Sequence, residues 1–291
     1  MTQFYLRAKV FLPQLVSSFF SLLKVIFLTR KTSRFPKKLS ADCVVLGNGP
    51  SLQHSLETQL DFLSKSELFC VNNFAVSAYY QQLKPRNYVL LDPFFFKYEL
   101  ADFPNPAVAA SLKAIHQNTT WELHLFVPRS ARHSATVRFL SQNPNIKLVY
   151  FNYVVAKGID PILFWLFKNQ WAMPQCQNVL AATTFLAINQ RFERVYLMGA
   201  DHSWHEEIHL SSNGQQVLMR HLHFYNNAQT AAVTQHGTNP QMHTSLATQF
   251  SNFSKIFQTY ELLERYANHL KIKVLNASSK SYIDAFERVE L

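Results

Sequence analysis

Asp42-Cys43-Val44-Val45-Leu46-Gly47-Asn48-Gly49-Pro50-Ser51-Leu52 is the stretch on which the fold turns. A short apolar run that breaks at a glycine turn reads as a strand buried on both faces, and Ser51-Leu52 reads as the start of a helix. The same kind of run recurs at Leu68–Val71, Tyr88–Leu91, Leu123–Val127, Lys147–Phe151, Val195–Met198 and Ile272–Leu275, with longer mixed segments between. Phe250–Leu270 is the clearest of these segments. There Phe253, Ile256, Phe257, Tyr260 and Leu263 recur at helical spacing while Lys255, Glu261, Glu264 and Arg265 take other faces. Strands alternating with helices predict an α/β fold whose mostly parallel sheet is covered on both sides.

The 291 residues suffice for one large domain, or one domain with an appendage. With 48% hydrophobic residues and 14% aromatics, the composition excludes disordered, collagen-like and low-complexity classes. Cys43, Cys70 and Cys176 lie far apart in apolar runs, so neither a disulfide framework nor a cysteine zinc site is expected, and the chain reads as reduced and cytosolic-facing.

The net charge is +10, and Arg7, Lys9, Lys24, Arg30, Lys31, Arg34, Lys37 and Lys38 all precede the first acidic residue, Asp42. The rest of the chain is close to neutral, which argues against a nucleic-acid partner. Residues 1–40 therefore read as a basic amphipathic arm, and 41–291 as the folded body. The charge-free run Val10–Leu23 falls short of the roughly 20 residues of a spanning helix. No small-residue cleavage site follows it, so a signal peptide is not expected. The arm is expected to lie on the inner face of the cytoplasmic membrane through residues 1–38. Packing on the body or on a second subunit, and a tilted single span, are the alternatives.

Parallel sheets bind ligands outside the carboxyl ends of their strands, so residues just after each run are the candidates. Gly47, Asn48, Gly49, Pro50 and Ser51 follow the first run, Asn72 the second, Asp92 the third, Asp201 and His202 the sixth and Asn276 the last. The glycine turn is expected to offer backbone N–H groups to a phosphate, with Ser51 capping the next helix. An ordinary strand-to-helix turn is the other reading. Asn48, Asn72 and Asp92 have the groups to hold a nucleobase and ribose, or else form Asx turns. Phe94–Phe96 and Phe164-Trp165 read as core or lid.

Seven of the twelve histidines fall between His202 and His243. His205-Glu206-Glu207-Ile208-His209 matches the H-E-x-x-H zinc motif, but the turn signal at Leu210–Gly214 leaves little room for its helix. A strand-end loop with a neutral imidazole as proton acceptor suits the cluster better. His202, oriented by Asp201, is one candidate, and His223 and His243 are its rivals.

Gly-Asn-Gly-Pro-Ser-Leu, Val-Asn-Asn-Phe, Asp-Pro-Phe-Phe-Phe and Val-Tyr-Leu-Met-Gly-Ala-Asp, in this order, resemble the bacterial CMP-sialic acid-dependent sialyltransferases of glycosyltransferase family 42. The resemblance runs from about residue 42 to 289. It implies a single Rossmann-like domain with a lid, here about residues 202–249, and an inverting transfer from a CMP-sugar. It also implies no obligatory cofactor or metal, and a histidine base. Gly47–Ser51 and Asn72 match the nucleotide site, and His243 is nearest to the base by its place before the long helix. Asp92 stands where that family has asparagine, and His202-Ser203-Trp204 replaces its aromatic pair.

The glycine turn also resembles hydroxymethylpterin diphosphokinase-like proteins and the related flagellin-modification domain, which implies a phosphotransferase using ATP and magnesium, with Asp92 and Asp201 holding the metal. The expected activity is transfer of a sialic acid-like sugar from a CMP donor to a surface glycan or lipooligosaccharide acceptor. A non-catalytic membrane-docked scaffold and the phosphotransferase are the alternatives, and homo-oligomerisation stays open.

Overall fold

The computed structural model describes residues 2–99, 102–232, 234–235 and 239–291, with the side chains of residues 2–10, 221 and 226–243 outside that description. The strands are β1 (Asp42–Leu46), β2 (Glu67–Val71), β3 (Asn87–Val89), β4 (Leu123–Pro128), β5 (Ile146–Phe151), β6 (Arg194–Met198), β7 (Ile208–Leu210), β8 (Val217–His223), β9 (Asn226–Ala232), β10 (Thr234–Gln235), β11 (Asn239–His243), β12 (Lys273–Asn276) and β13 (Glu287–Arg288). The helices are α1 (Thr2–Leu28), α2 (Leu52–Thr58), α3 (Leu60–Lys65), α4 (Tyr79–Leu83), α5 (Phe94–Lys97), α6 (Pro106–Asn118), α7 (Ala135–Leu140), α8 (Asp160–Lys168), α9 (Val179–Asn189) and α10 (Leu246–His269).

All seven apolar runs are strands of one eight-stranded sheet of order β13-β12-β6-β1-β2-β3-β4-β5, parallel throughout. The central strands alternate between two cores, as the period of two requires. Cys43, Val45, Phe69 and Val71 face the core shared with α8, α9 and α10, whereas Val44, Leu46, Leu68 and Cys70 face that of α2 to α7. The fold is the single Rossmann-like domain expected. From β1 the chain builds outward to β5, then crosses by α8 and α9 to β6 on the other flank of β1. The reversal leaves a crevice above the carboxyl ends of β1 and β6.

The H-E-x-x-H stretch does not make one helix. Residues Trp204–Glu207 form a single 3₁₀ turn and Ile208–Leu210 a strand, so His205 and His209 share no helical face. Glu206 is bound to Lys280 and Tyr282, and Glu207 pairs with Arg220. Sheet β7-β8-β9 is antiparallel, and the tip of its β8–β9 hairpin reaches back to β1 and β2. There the Phe224 N–H donates to the Asn48 carbonyl at 3.3 Å, and the Phe224 ring meets Phe74 at 5.7 Å.

Helix α1 is amphipathic in an inverted sense. Toward the body it turns Ser18, Ser21 and Val25, all buried. Ser21 Oγ donates to the Lys157 carbonyl at 2.7 Å, and the N–H groups of Lys157 and Ile159 donate to Ser21 Oγ and Ser18 Oγ at 2.8 and 3.0 Å. Gly158, at φ +145°, makes this approach feasible, because a Cβ there would lie 2.8 Å from the Ser18 Cα. Phe11, Leu12, Val16, Phe19, Phe20, Ile26 and Phe27 point away from the body, each more than half exposed. Phe11–Leu28 is long and apolar enough, by length and composition, to cross a membrane. The basic segment after the helix lies along the body, with Ser33 exchanging bonds with Tyr150 and Phe35 meeting Phe126 at 5.9 Å.

Candidate functional site

A cleft of about 960 Å³ opens above the β1/β6 crevice. Gly47, Asn48, Gly49, Pro50, Asn72, Asp92, Asp201, His202 and His223 all line it, together with Lys97, Tyr153, Asn178, Trp204 and Arg220. Residues from four strand ends and the hairpin thus converge on one cavity.

The glycine turn is built otherwise than the sequence suggested. Two of its N–H groups are taken up by the β6 turn: Gly47 N donates to the Met198 carbonyl at 2.8 Å and Gly49 N to the Gly199 carbonyl at 3.0 Å. Ser51 N and Oγ both donate to the Asp201 carboxylate, at 3.0 and 2.6 Å. Ser51 therefore makes no side-chain cap on α2, and a carboxylate stands at that helix start instead. The glycines serve close packing. A Cβ on Gly47 would sit 2.8 Å from the Gly199 carbonyl carbon, and one on Gly49 would strike the Asp201 carboxylate.

The Asp201 carboxylate is thus tied to Ser51 and not to the neighbouring His202 ring, which the sequence had suggested it orients. Both of its oxygens accept from Ser51. Burial raises its pKa above the ordinary carboxylate value while the two Ser51 bonds hold it down. Ser51→Ala is accordingly expected to lower the unfolding free energy by about 1–2 kcal/mol, read from the urea midpoint. An unchanged midpoint would mean that the tie contributes nothing net.

His202 is held by other groups. It is buried, with a left-handed φ of 52°, and its ring packs 4.4 Å from Trp204 and 5.2 Å from Tyr260. Left-handed backbone at a non-glycine residue is strained and persists where the surroundings enforce it. His202 Nε2 lies 2.8 Å from Tyr260 Oη, whose hydroxyl in turn donates to Asn178 Oδ1 at 3.3 Å. Asn178 Nδ2 stands farther off, 3.4 Å from Nε2. Two tautomers fit these contacts: Nε2–H donating to Tyr260 Oη, with the Tyr260 hydroxyl passing on to Asn178 Oδ1, or the Tyr260 hydroxyl donating to Nε2 itself; the first keeps a lone pair on Nδ1. Burial pushes the imidazole pKa down to about 3, so the ring is neutral.

Asn178 and Tyr260 were not among the expected site residues. Asn178 Oδ1 accepts from the Ala181 N–H at 2.8 Å and caps α9, a position marked in the sequence by asparagine before the apolar run Val179–Ile188. Tyr260 reads in sequence as one more member of the buried stripe of α10, and only its hydroxyl hints at more.

Two residues that line the cleft also carry unsatisfied acceptors. Asn48 Oδ1 and Asn72 Oδ1 are buried without a hydrogen-bond partner, although Asn48 Nδ2 reaches the Val71 carbonyl at 3.3 Å. Buried amide oxygens without donors are rare in folded proteins. Asp92 lines the cleft and accepts from Phe94 N at 2.9 Å, an Asx turn. Of the aromatic candidates, Phe94 lines the cleft, Phe95 and Phe164 are core, and Trp165 is half exposed.

Asn276 does not belong to the cleft: its Nδ2 donates to Ser281 Oγ and the Ile283 carbonyl, and its Oδ1 accepts from Ser278 N. It braces the last strand. His223 stacks on Tyr225 at 5.3 Å in the hairpin. His243 ends β11, and its side chain lies outside the described residues.

Fold and site together define a Rossmann-like domain with a cleft where the strand order reverses. Among solved structures the chain is similar to the MAf glycosyltransferase from Magnetospirillum magneticum AMB-1, with a TM-score of 0.50 and 13% identity over 95% of this chain and 38% of that one. The chain thus spans less than half the length of that protein, and the likeness is one of fold. No family model and no curated protein sequence matches it.

Proposed function

We propose that the chain is an inverting glycosyltransferase that moves a sialic acid-like sugar from a CMP donor to a glycan hydroxyl. The observation that carries this reading is the pair of unpartnered amide oxygens, Asn48 Oδ1 and Asn72 Oδ1, in the same cleft as a neutral imidazole. Two acceptors without donors suit the exocyclic amino group of cytosine and a ribose hydroxyl.

In the reaction the acceptor oxygen bonds to the anomeric carbon as the bond to the phosphate oxygen breaks. The electron pair leaves with CMP, and the acceptor proton passes to His202 Nδ1, a step that needs the departing phosphate near enough to raise the proton affinity that burial holds down in the free protein. Tyr260 steadies the imidazolium by accepting from Nε2–H. Lys97 lines the cleft, with its ammonium 5.4 Å from the centre of the Tyr98 ring and no ion pair among the described residues, and in this reading it supplies the positive charge for the departing phosphate. No step requires a metal, and none is assigned to the donor.

The test is thermal-shift binding of CMP, CDP, UDP, GDP and ATP, with and without magnesium. CMP is expected to raise the melting temperature without magnesium, and Asn48→Ala to weaken CMP binding about tenfold. Stabilisation by ATP and magnesium alone would move the reading to phosphotransfer.

A further inference from the structure

A second hollow of about 450 Å³ lies between the end of α1 and the loop after β4. Arg30, Arg129, Arg132 and His133 line it, beside Leu28 and Tyr153. Three guanidinium groups around one small hollow repel each other unless an anion joins them. None of the three forms an ion pair with a carboxylate among the described residues. Arg129 Nε is buried with no hydrogen-bond partner at all. The other two are oriented by the protein: Arg30 Nη1 donates to the Phe27 and Thr29 carbonyls at 2.7 and 2.9 Å, and Arg132 Nε to His133 Nε2 at 2.7 Å. These are fixed forks with N–H groups to spare, the geometry that grips phosphate bidentately.

Two neighbours say where the anion comes from. Leu28, in the wall, is the last residue of the outward apolar face of α1, and Trp165 and Trp171 stand close by, paired at 4.9 Å and 50% and 39% exposed. The Thr29 hydroxyl donates to the Trp171 carbonyl at 2.6 Å and fixes that adjacency. Apolar side chains, half-exposed tryptophans and a cationic hollow in sequence match the profile of a bilayer from its interior to its anionic head groups. The second neighbour is Tyr153, which lines both this hollow and the cleft and is the wall between them.

We propose that Arg30, Arg129, Arg132 and His133 form a phosphate-binding subsite for a membrane-embedded phospho-amphiphile, which holds its phosphate beside α1 and directs its head group past Tyr153 toward the cleft. What happens to that head group rests on the glycosyltransferase reading, and the anion site does not.

The experiment uses the full chain and the double variant Arg129→Gln, Arg132→Gln in flotation with phosphatidylcholine vesicles, with and without phosphatidic acid. Wild type and variant are expected to bind plain phosphatidylcholine alike through α1. On phosphatidic acid vesicles the variant is expected to bind at least about tenfold more weakly, and inorganic pyrophosphate to compete with the wild type only. Equal binding of both proteins to phosphatidic acid overturns the proposal, as does arginine-dependent binding of free pyrophosphate with no arginine-dependent binding of vesicles. An unchanged CMP response and melting temperature in the variant establish that it is folded. A wild type that never responds to CMP sinks the transfer reading and leaves the vesicle result standing.

Discussion

His202→Asn is expected to lower kcat by about a thousandfold while leaving the affinity for CMP within a factor of about two, measured by initial rates and thermal shift on the same preparation. Asparagine is the informative replacement because it tolerates the left-handed backbone that position 202 adopts, at φ 52°, so that the loss reports the missing base and not a refolded turn. Tyr260→Phe is its companion. That change removes the hydroxyl 2.8 Å from Nε2, and with it the contact that orients the imidazole. A loss of about ten- to a hundredfold in kcat with unchanged KM is expected. A variant at position 202 with near-wild-type kcat would move the base to His223 or His243.

The same residue leaves a mark on stability. Its pKa falls from an ordinary 6.5 to about 3 on folding, because the buried ring is costly to charge. The unfolded chain therefore binds the extra proton first. The stability that goes with the neutral ring is complete above pH 6.5 and is lost as pH falls toward 3. By pH 5 the loss amounts to about 2 kcal/mol, and it should be absent from His202→Asn in urea titrations at pH 8 and pH 5. Over the same range the ring stays neutral in the folded enzyme, so no acid limb near pH 6.5 is expected from this group.

The sheet was legible because its strands are short apolar runs bounded by polar residues, a pattern that burial on both faces imposes. Two of the remaining strands have no such pattern: β13 is two exposed residues, and β9 reads Asn-Asn-Ala-Gln-Thr-Ala-Ala. The rim of the cleft was legible too, since Asn48, Asn72, Asp92 and His202 all follow a run and all reach one cavity. What sequence order does not carry is which polar side chain meets which. Asp201 stands next to His202 in the chain, yet its carboxylate belongs to Ser51, 150 positions earlier. Asn276 sits at a strand end like the others, yet its amide closes on its own loop, because β12 lies one strand beyond the reversal. Arg129 and Arg132 drew no notice, for they sit a hundred residues from the basic arm whose last helical turn they face.

The glycine turn offers the sharpest test of the revised view of its purpose. If Gly47 existed to let an anion approach, an added methyl group would mainly weaken nucleotide binding. The geometry says otherwise: a Cβ at Gly47 would meet the carbonyl of Gly199 in the facing turn, backbone against which no rotamer change gives relief. Gly47→Ala must therefore push β1 and β6 apart at their carboxyl ends, where Gly47 N donates to the Met198 carbonyl at 2.8 Å and Gly49 N to the Gly199 carbonyl at 3.0 Å. A loss of about 3 kcal/mol or more in unfolding free energy is expected, together with the CMP response. Gly214→Ala is the proper comparison. That glycine has a left-handed φ of 70° but nothing within 4 Å of the added methyl, so it carries the conformational cost alone, about 1 kcal/mol. Urea midpoints for the two variants separate steric from conformational cost. If Gly47→Ala proved as mild as Gly214→Ala and lost only CMP affinity, the turn would be a phosphate cradle after all, and the contacts between the two turns would have to yield when the donor binds.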